Sequence, residues 1–142
     1  MLAVTFTDNG ANAVLPLHPR AAAQARKVLG SVISHGDTLI DTAALLLSEL
    51  VSNAVRHAHG TQLRVAIAHD QVKDVIVVAV FDRNPEMRRG TRCSADGQPD
   101  DLETGRGLDL LDALAESWGV ATVGDRGKWI WFSLPRRTVA ET

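Results

Sequence analysis

Residues 43–58 read AALLLSELVSNAVRHA, and the rest of the chain is organised around this stretch. Apolar side chains recur in it at steps of three and four residues, which predicts an amphipathic helix with one wide buried face. The apolar positions are Ala43, Leu46, Leu47, Leu50, Val51, Ala54, Val55 and Ala58. The opposite stripe is polar, and Glu49, Asn53 and His57 follow one another along it at intervals of four residues. A carboxylate and a carboxamide one turn apart can hold a water or hydroxyl beside a metal-bound phosphate, but a solvated helix face carries the same residue types.

The length and composition indicate one globular domain. The chain has 142 residues, of which 45% are hydrophobic and 23% charged, and its net charge is −2. A chain of this size can bury one core but not two ordinary ones. We therefore expect a single domain over residues 1–142, with a core at 14–135 and a polar tail at 136–142.

Several features favour a cytoplasmic protein without a membrane or nucleic-acid role. No apolar run reaches the roughly 18 residues that a membrane span requires. The N-terminus lacks the pattern of a secretory signal, and the single Cys93 cannot form an internal disulfide. The slightly negative net charge gives no general attraction to nucleic acid or to anionic lipid.

The N-terminal third predicts two short strands and a helix. Residues 2–7 and 13–17 are extended candidates on either side of a turn-rich stretch, and residues 20–34 are rich in helix formers. Asp37 or Asp41 is the expected N-cap of the central helix.

Two adjacent strands follow the central helix. Residues 61–69 alternate between apolar and polar side chains, as a half-exposed strand does. Residues 75–81, VIVVAVF, are apolar on both faces and predict a central strand that ends at Asp82. An acid at this position either lines a pocket or simply terminates the strand.

The last third begins with a long loop. Residues 83–104 are rich in Pro, Gly, Arg and Asp, and they form either a lid that closes over an anionic ligand or a solvated connection. Residues 104–119, TGRGLDLLDALAESWG, predict a third helix that ends at Gly119, with a buried stripe at Leu108, Leu111, Leu114, Ala115 and Trp118.

Two glycines in the first turn of this third helix require an explanation. Gly105 and Gly107 lower helix propensity. Close approach of the backbone to a phosphate would explain them, and so would a sharp turn from loop to helix.

The last described pattern predicts a final hairpin, with residues 120–123 and 128–134 flanking the turn GDRG.

Other kinds of site receive little support. His57 and His59 have no further His or Cys at a spacing that would complete a zinc site. The chain has no GxxxxGK[ST] phosphate-binding loop, and GRG lacks the spacing of a dinucleotide fingerprint.

Taken in order, these segments resemble the GHKL ATP-binding fold, and in particular the small bacterial domains related to anti-sigma-factor serine kinases. The resemblance covers about residues 14–135 and is carried by SELVSNAVRHAHG, GRGLDLLDALAESWGV and GKWIWFSLP. It implies an α+β fold, a two-layer α/β sandwich of the Bergerat type. The sheet would be mixed but mostly antiparallel, with three helices on one face.

The resemblance also implies ATP and Mg²⁺ as ligands. Asn53 would give its amide oxygen to Mg²⁺, and Glu49 would orient or deprotonate the attacking hydroxyl or water. Asp82 would accept a hydrogen bond from the adenine amino group. The phosphate-binding turn would comprise Gly105, Arg106, Gly107 and Leu108, with the preceding loop as the ATP lid.

Two departures from the family pattern concern the adenine side. The first glycine box of the family reads Asp-x-Gly-x-Gly, whereas this chain has DRNPE at residues 82–86. In the last strand, the bulky Trp129 follows Gly-Lys in place of a small hydroxyl residue. The Trp129 ring either fills part of the adenine site or lies on the neighbouring sheet surface.

The leading interpretation is an anti-sigma-factor serine/threonine kinase. Such a protein would bind a sigma factor, phosphorylate a small anti-anti-sigma antagonist protein and possess a surface for forming a homodimer. The alternative is a non-catalytic ATP-binding or partner-binding module with a degenerate adenine pocket. A detached catalytic domain serving a histidine phosphotransfer protein is a weaker third hypothesis.

Overall fold

The computed structural model describes residues 3–33, 38–57, 59–84 and 109–136. Within these ranges, two longer helices and six strands follow one another in the order β1 (Ala3–Thr7), β2 (Gly10–Pro16), α1 (Ala21–Val32), α2 (Ile40–His57), β3 (Gln62–Asp70), β4 (Val75–Asp82), β5 (Ser117–Val123) and β6 (Gly127–Pro135). A short third helix, α3, comprises residues 109–114. Residues 85–104 of the predicted lid at 83–104, the candidate N-cap Asp37 and most of the predicted tail lie outside the described residues.

The six strands form one sheet in the order β1-β2-β3-β4-β6-β5. Every pairing between the described strands is antiparallel. β4 lies between β3 and β6, as its uniformly apolar sequence predicts. The helices and the sheet form an α+β two-layer sandwich, which confirms the predicted fold class.

The core lies between the helices and one face of the sheet. On β4, the buried side chains are Ile76, Val78 and Val80, which alternate with partly exposed ones. The helical contribution comes mainly from α2, whose buried residues are Ala43, Leu46, Leu47, Leu50, Val51 and Ala54. We call the helix-covered side of the sheet the inner face and the opposite side the outer face.

The central helix α2 begins three residues earlier than predicted. It starts at Ile40, so Asp41 lies in the first turn and is not the N-cap. At this position its carboxylate still interacts favourably with the helix dipole, as do Arg56 and His57 in the last turn.

The predicted extent of the third helix is wrong. Helical structure ends at residue 114, and Trp118 and Gly119 belong to β5. The backbone N–H of Glu116 already donates to the Ser133 carbonyl at 2.9 Å, so pairing with β6 replaces the helical hydrogen bonds. Of the predicted stripe, Leu111 is fully buried, but Leu114 is 41% exposed.

No helix in the described part of the chain combines the length and the apolar character needed to cross a bilayer.

Candidate functional site

The polar stripe of α2 places two of the predicted site residues side by side. Glu49 and Asn53 are four residues apart within the helix, and both side chains are partly exposed. An interval of four residues puts side chains on the same side of a helix, one turn apart. The buried residues of α2 lie on the other side, so this pair is available to a ligand.

The side chain of Asn53 already contacts a positively charged group, the Arg56 guanidinium. Its amide oxygen Oδ1 accepts a hydrogen bond from Nη2 of Arg56 at 2.6 Å. This charge-assisted contact orients the carboxamide so that its oxygen faces a cation. An amide oxygen is also a suitable Mg²⁺ ligand, because Mg²⁺ takes only one or two protein oxygens when phosphates complete its octahedron. The residue at this position therefore fits the ion that the resemblance implies.

Asp82 lies on the inner face at the end of β4. It continues the buried series of Ile76, Val78 and Val80, and it is only 6% exposed. Its Oδ1 accepts the backbone N–H of Asn84 at 2.9 Å, which forms a tight turn after the strand.

Lys128 provides the counter-charge for Asp82. The two residues are opposite one another in the β4–β6 pairing, and Nζ lies 3.1 Å from Oδ1 and 3.4 Å from Oδ2. Nζ also donates to the backbone carbonyl of Asn84 at 2.5 Å. The Asp82 carboxylate thus obtains its hydrogen-bond donors from the chain itself. Sequence reasoning missed Lys128, because its position beside Asp82 depends on the register between β4 and β6, which no local pattern reports.

Asn84 connects this end of β4 to α2. Its Nδ2 donates to the backbone carbonyl of His57 at 3.0 Å, and the residue is 7% exposed. His57 is one turn beyond Asn53 on α2, so the structure brings Asp82 to the same end of the helix as Asn53. At the position of the first glycine in the family pattern, this chain therefore has an Asn whose side chain joins the strand end to the helix.

Gly127 is required by this arrangement. A Cβ atom there would lie 2.1 Å from the backbone carbonyl oxygen of Asp82 and 2.9 Å from the Phe81 ring. Only a residue without a side chain allows β6 to approach the end of β4 this closely.

Trp129 lies on the outer face, not beside Asp82. It follows Lys128 directly on β6, and successive side chains of a strand point to opposite faces. Its ring packs against Phe81, with ring centroids 5.2 Å apart and planes inclined by 54°. The second of the two sequence alternatives is therefore correct.

The predicted phosphate-binding residues Gly105, Arg106, Gly107 and Leu108 lie outside the described residues. α3 begins, in the described part of the chain, directly after them.

Comparison with known proteins agrees with the architecture. The family model described as the histidine kinase-like ATPase domain matches residues 15–134. No curated protein matches the chain significantly. The family match covers most of the chain, including α2, the Asp82–Lys128 pair and the final hairpin, and the chain therefore belongs to the histidine kinase-like ATPase domain family.

Proposed function

We propose that this protein is an ATP-binding regulatory protein, an anti-sigma-factor serine/threonine kinase that transfers phosphate from Mg-ATP to a small antagonist protein. Family membership implies ATP binding. The observation that carries the kinase assignment is the placement of Glu49 one turn from Asn53 on the accessible stripe of α2. A metal ligand and a carboxylate close to one another can serve phosphoryl transfer to a hydroxyl.

In this proposal Asn53 holds Mg²⁺ through its amide oxygen. When bound, the ion would neutralise part of the negative charge on the phosphates. The Arg56 guanidinium, which donates to the same oxygen in this structure, would yield this position to the ion, since both are cations. Glu49 would accept a hydrogen bond from the serine or threonine hydroxyl and take its proton as the hydroxyl oxygen bonds to the γ-phosphorus, while the bond from that phosphorus to ADP breaks and ADP leaves.

Asp82 recognises adenine in the same proposal. Its Oδ1 receives the Asn84 N–H and the shorter contact from Lys128, whereas Oδ2 receives only the 3.4 Å contact from Lys128. A carboxylate has about four acceptor positions, so Oδ2 can still accept the adenine amino group. The fixed carboxylate would thereby favour adenine over guanine.

The partners in this proposal are a sigma factor and an anti-anti-sigma antagonist. Binding of the sigma factor would withhold it from transcription, and phosphorylation of the antagonist would prevent the antagonist from displacing it. A homodimer would present two such surfaces.

A second candidate function is a non-catalytic module that keeps the fold and captures partners without turnover. The observation that favours it is the buried Asp82–Lys128 ion pair, with side chains 8% and 6% exposed. The pair places a positive charge next to the acid that would otherwise accept from adenine, and it satisfies that acid without a nucleotide.

Two measurements on the intact chain separate these functions. Calorimetric titration with ATP and with GTP, in the presence of Mg²⁺, is expected to show preferential ATP binding. Asp82→Asn should then lower the affinity for ATP by roughly tenfold and leave the affinity for GTP unchanged, because a mismatched polar contact costs about 1 to 3 kcal/mol. The exposed Asp8→Asn is the matched control.

Transfer of labelled phosphate to candidate antagonist proteins completes the test. Transfer that depends on Mg-ATP supports the kinase. ATP binding without transfer to any of them supports the module, and equal affinity of wild type and Asp82→Asn for ATP removes Asp82 from the nucleotide site.

A further inference from the structure

A cleft of about 860 Å³ opens on the outer face, at the end of the sheet where the β5–β6 hairpin turns. Its volume is within the range of pockets that bind small organic molecules. The sheet separates its outer wall from Asp82 and Lys128, because those two side chains lie on the inner face, whereas Arg64, Phe81 and Trp129 lie on the outer face.

Two aromatic rings form one wall of the cleft. Arg64, Phe81 and Trp129 lie side by side across β3, β4 and β6, as the registers of the two pairings show. The Phe81 and Trp129 rings are in tilted contact, and both are only partly buried. This wall therefore offers the apolar surface of two rings to a ligand.

Three guanidinium groups surround these rings. Arg64 comes from β3, Arg83 follows β4, and Arg126 belongs to the turn between β5 and β6. All three residues are exposed, and no acidic side chain in the described ranges forms an ion pair with any of them. Among the described residues that line the cleft, Asp125 is the one carboxylate. A chain with a net charge of −2 thus concentrates positive charge at this cleft.

Glycine at position 60 lets one of these arginines lie over the turn before β3. Gly60 has φ of +94°, and a Cβ atom there would be 3.0 Å from Cδ of Arg83. The aliphatic part of Arg83 therefore rests on the Gly60 backbone, which leaves its guanidinium at the rim.

We propose that this cleft binds a small organic anion, in which a phosphate or carboxylate group is attached to a flat ring. The arginine forks match the planar geometry of either anionic group and bind it with charge-assisted hydrogen bonds. The Phe81–Trp129 wall receives the ring. This site is independent of the proposed nucleotide site, since the residues that carry it lie on the other face of the sheet.

The test uses phenyl phosphate as the probe and the intact chain, observed by NMR. Phenyl phosphate is expected to shift the Trp129 indole and Gly60 amide resonances in a saturable manner. Inorganic phosphate is expected to bind several-fold more weakly, because it has no ring. Parallel titration with benzoate compares a carboxylate with a phosphate, and the tighter of the two probes identifies the preferred anionic group.

Matched variants show whether the cleft is responsible. Arg83→Gln and Arg126→Gln should each lower the affinity for phenyl phosphate roughly five- to tenfold, because each removes a charge-assisted contact. Both residues are exposed, so the fold should be retained. Arg20→Gln, at an exposed arginine outside the cleft, should bind as wild type does.

Two results would overturn the proposal. One is unchanged affinity in both cleft variants. The other is a titration in which the Asn53 side-chain amide shifts and the Trp129 indole does not, which would place the probe at the nucleotide site instead.

Discussion

Lys128 Nζ lies 3.1 Å from Asp82 Oδ1, and both side chains are almost completely buried on the inner face of the sheet. Removing one partner of a buried ion pair is costly because the remaining charge has lost its hydration without compensation. The pair also fixes the turn after β4, since Lys128 and Asp82 both hydrogen bond to the backbone of Asn84.

We therefore expect Lys128→Met to lower the free energy of unfolding by about 3 kcal/mol, measured by urea denaturation. The double variant Asp82→Asn with Lys128→Met should recover a large part of this loss, because neither charge then remains alone. Lys73→Met changes an exposed lysine and should alter stability by less than about 0.5 kcal/mol. If Lys128→Met costs no more than this control, the ion pair does not hold the end of β4.

Asn53→Ala should lower the affinity for Mg-ATP by about tenfold and abolish the dependence of binding on Mg²⁺, because the proposed metal ligand is removed. Calorimetry with and without a chelator measures both effects. Arg56→Ala should keep the Mg²⁺ dependence, since the ion and the guanidinium use the same Oδ1 atom. Loss of Mg²⁺ dependence in Arg56→Ala but not in Asn53→Ala would show that the assignment of the ligand is wrong.

Glu49→Gln should bind Mg-ATP as wild type does but transfer phosphate at least 100-fold more slowly, because a general base contributes about 10² to 10⁴ to the rate. The measurement is transfer of labelled phosphate to the antagonist, with ATP affinity determined in parallel. Ser48→Ala, at the neighbouring position on α2, serves as a control and should retain transfer. A Glu49→Gln protein with full activity would exclude Glu49 as the base.

Trp129→Thr should leave the affinity for ATP unchanged, because the Trp129 ring lies on the face opposite to Asp82. It should reduce the free energy of unfolding by about 1 to 3 kcal/mol through loss of the contact with Phe81. Thermal unfolding and ATP titration of the same sample provide the two readings. Tighter ATP binding in this variant would place the ring in the nucleotide site after all.

Local patterns in the sequence were sufficient for most of the secondary structure. The apolar periodicity of residues 43–58 predicted α2, and the alternation at 61–69 predicted β3, since each pattern reports which face of one element is buried. The course of residues 115–119 was not predictable in this way. Their spacing fits a helix, but pairing of Ser117–Val123 with β6 offers backbone hydrogen bonds that the helical pattern does not reveal.

The order of elements and the residue types along the chain, together with the family resemblance that they carry, predicted the α+β sandwich and nominated Glu49, Asn53 and Asp82. The surroundings of these side chains depend on contacts between elements that are distant in the chain. Lys128 is 46 positions from Asp82, and their contact depends on the register between β4 and β6. Arg64, Arg83 and Arg126 are likewise distant in the chain, so their shared cleft exists only after the sheet has formed. Periodicity reports burial within one element, whereas partners across elements are set by strand register and by the packing of whole layers.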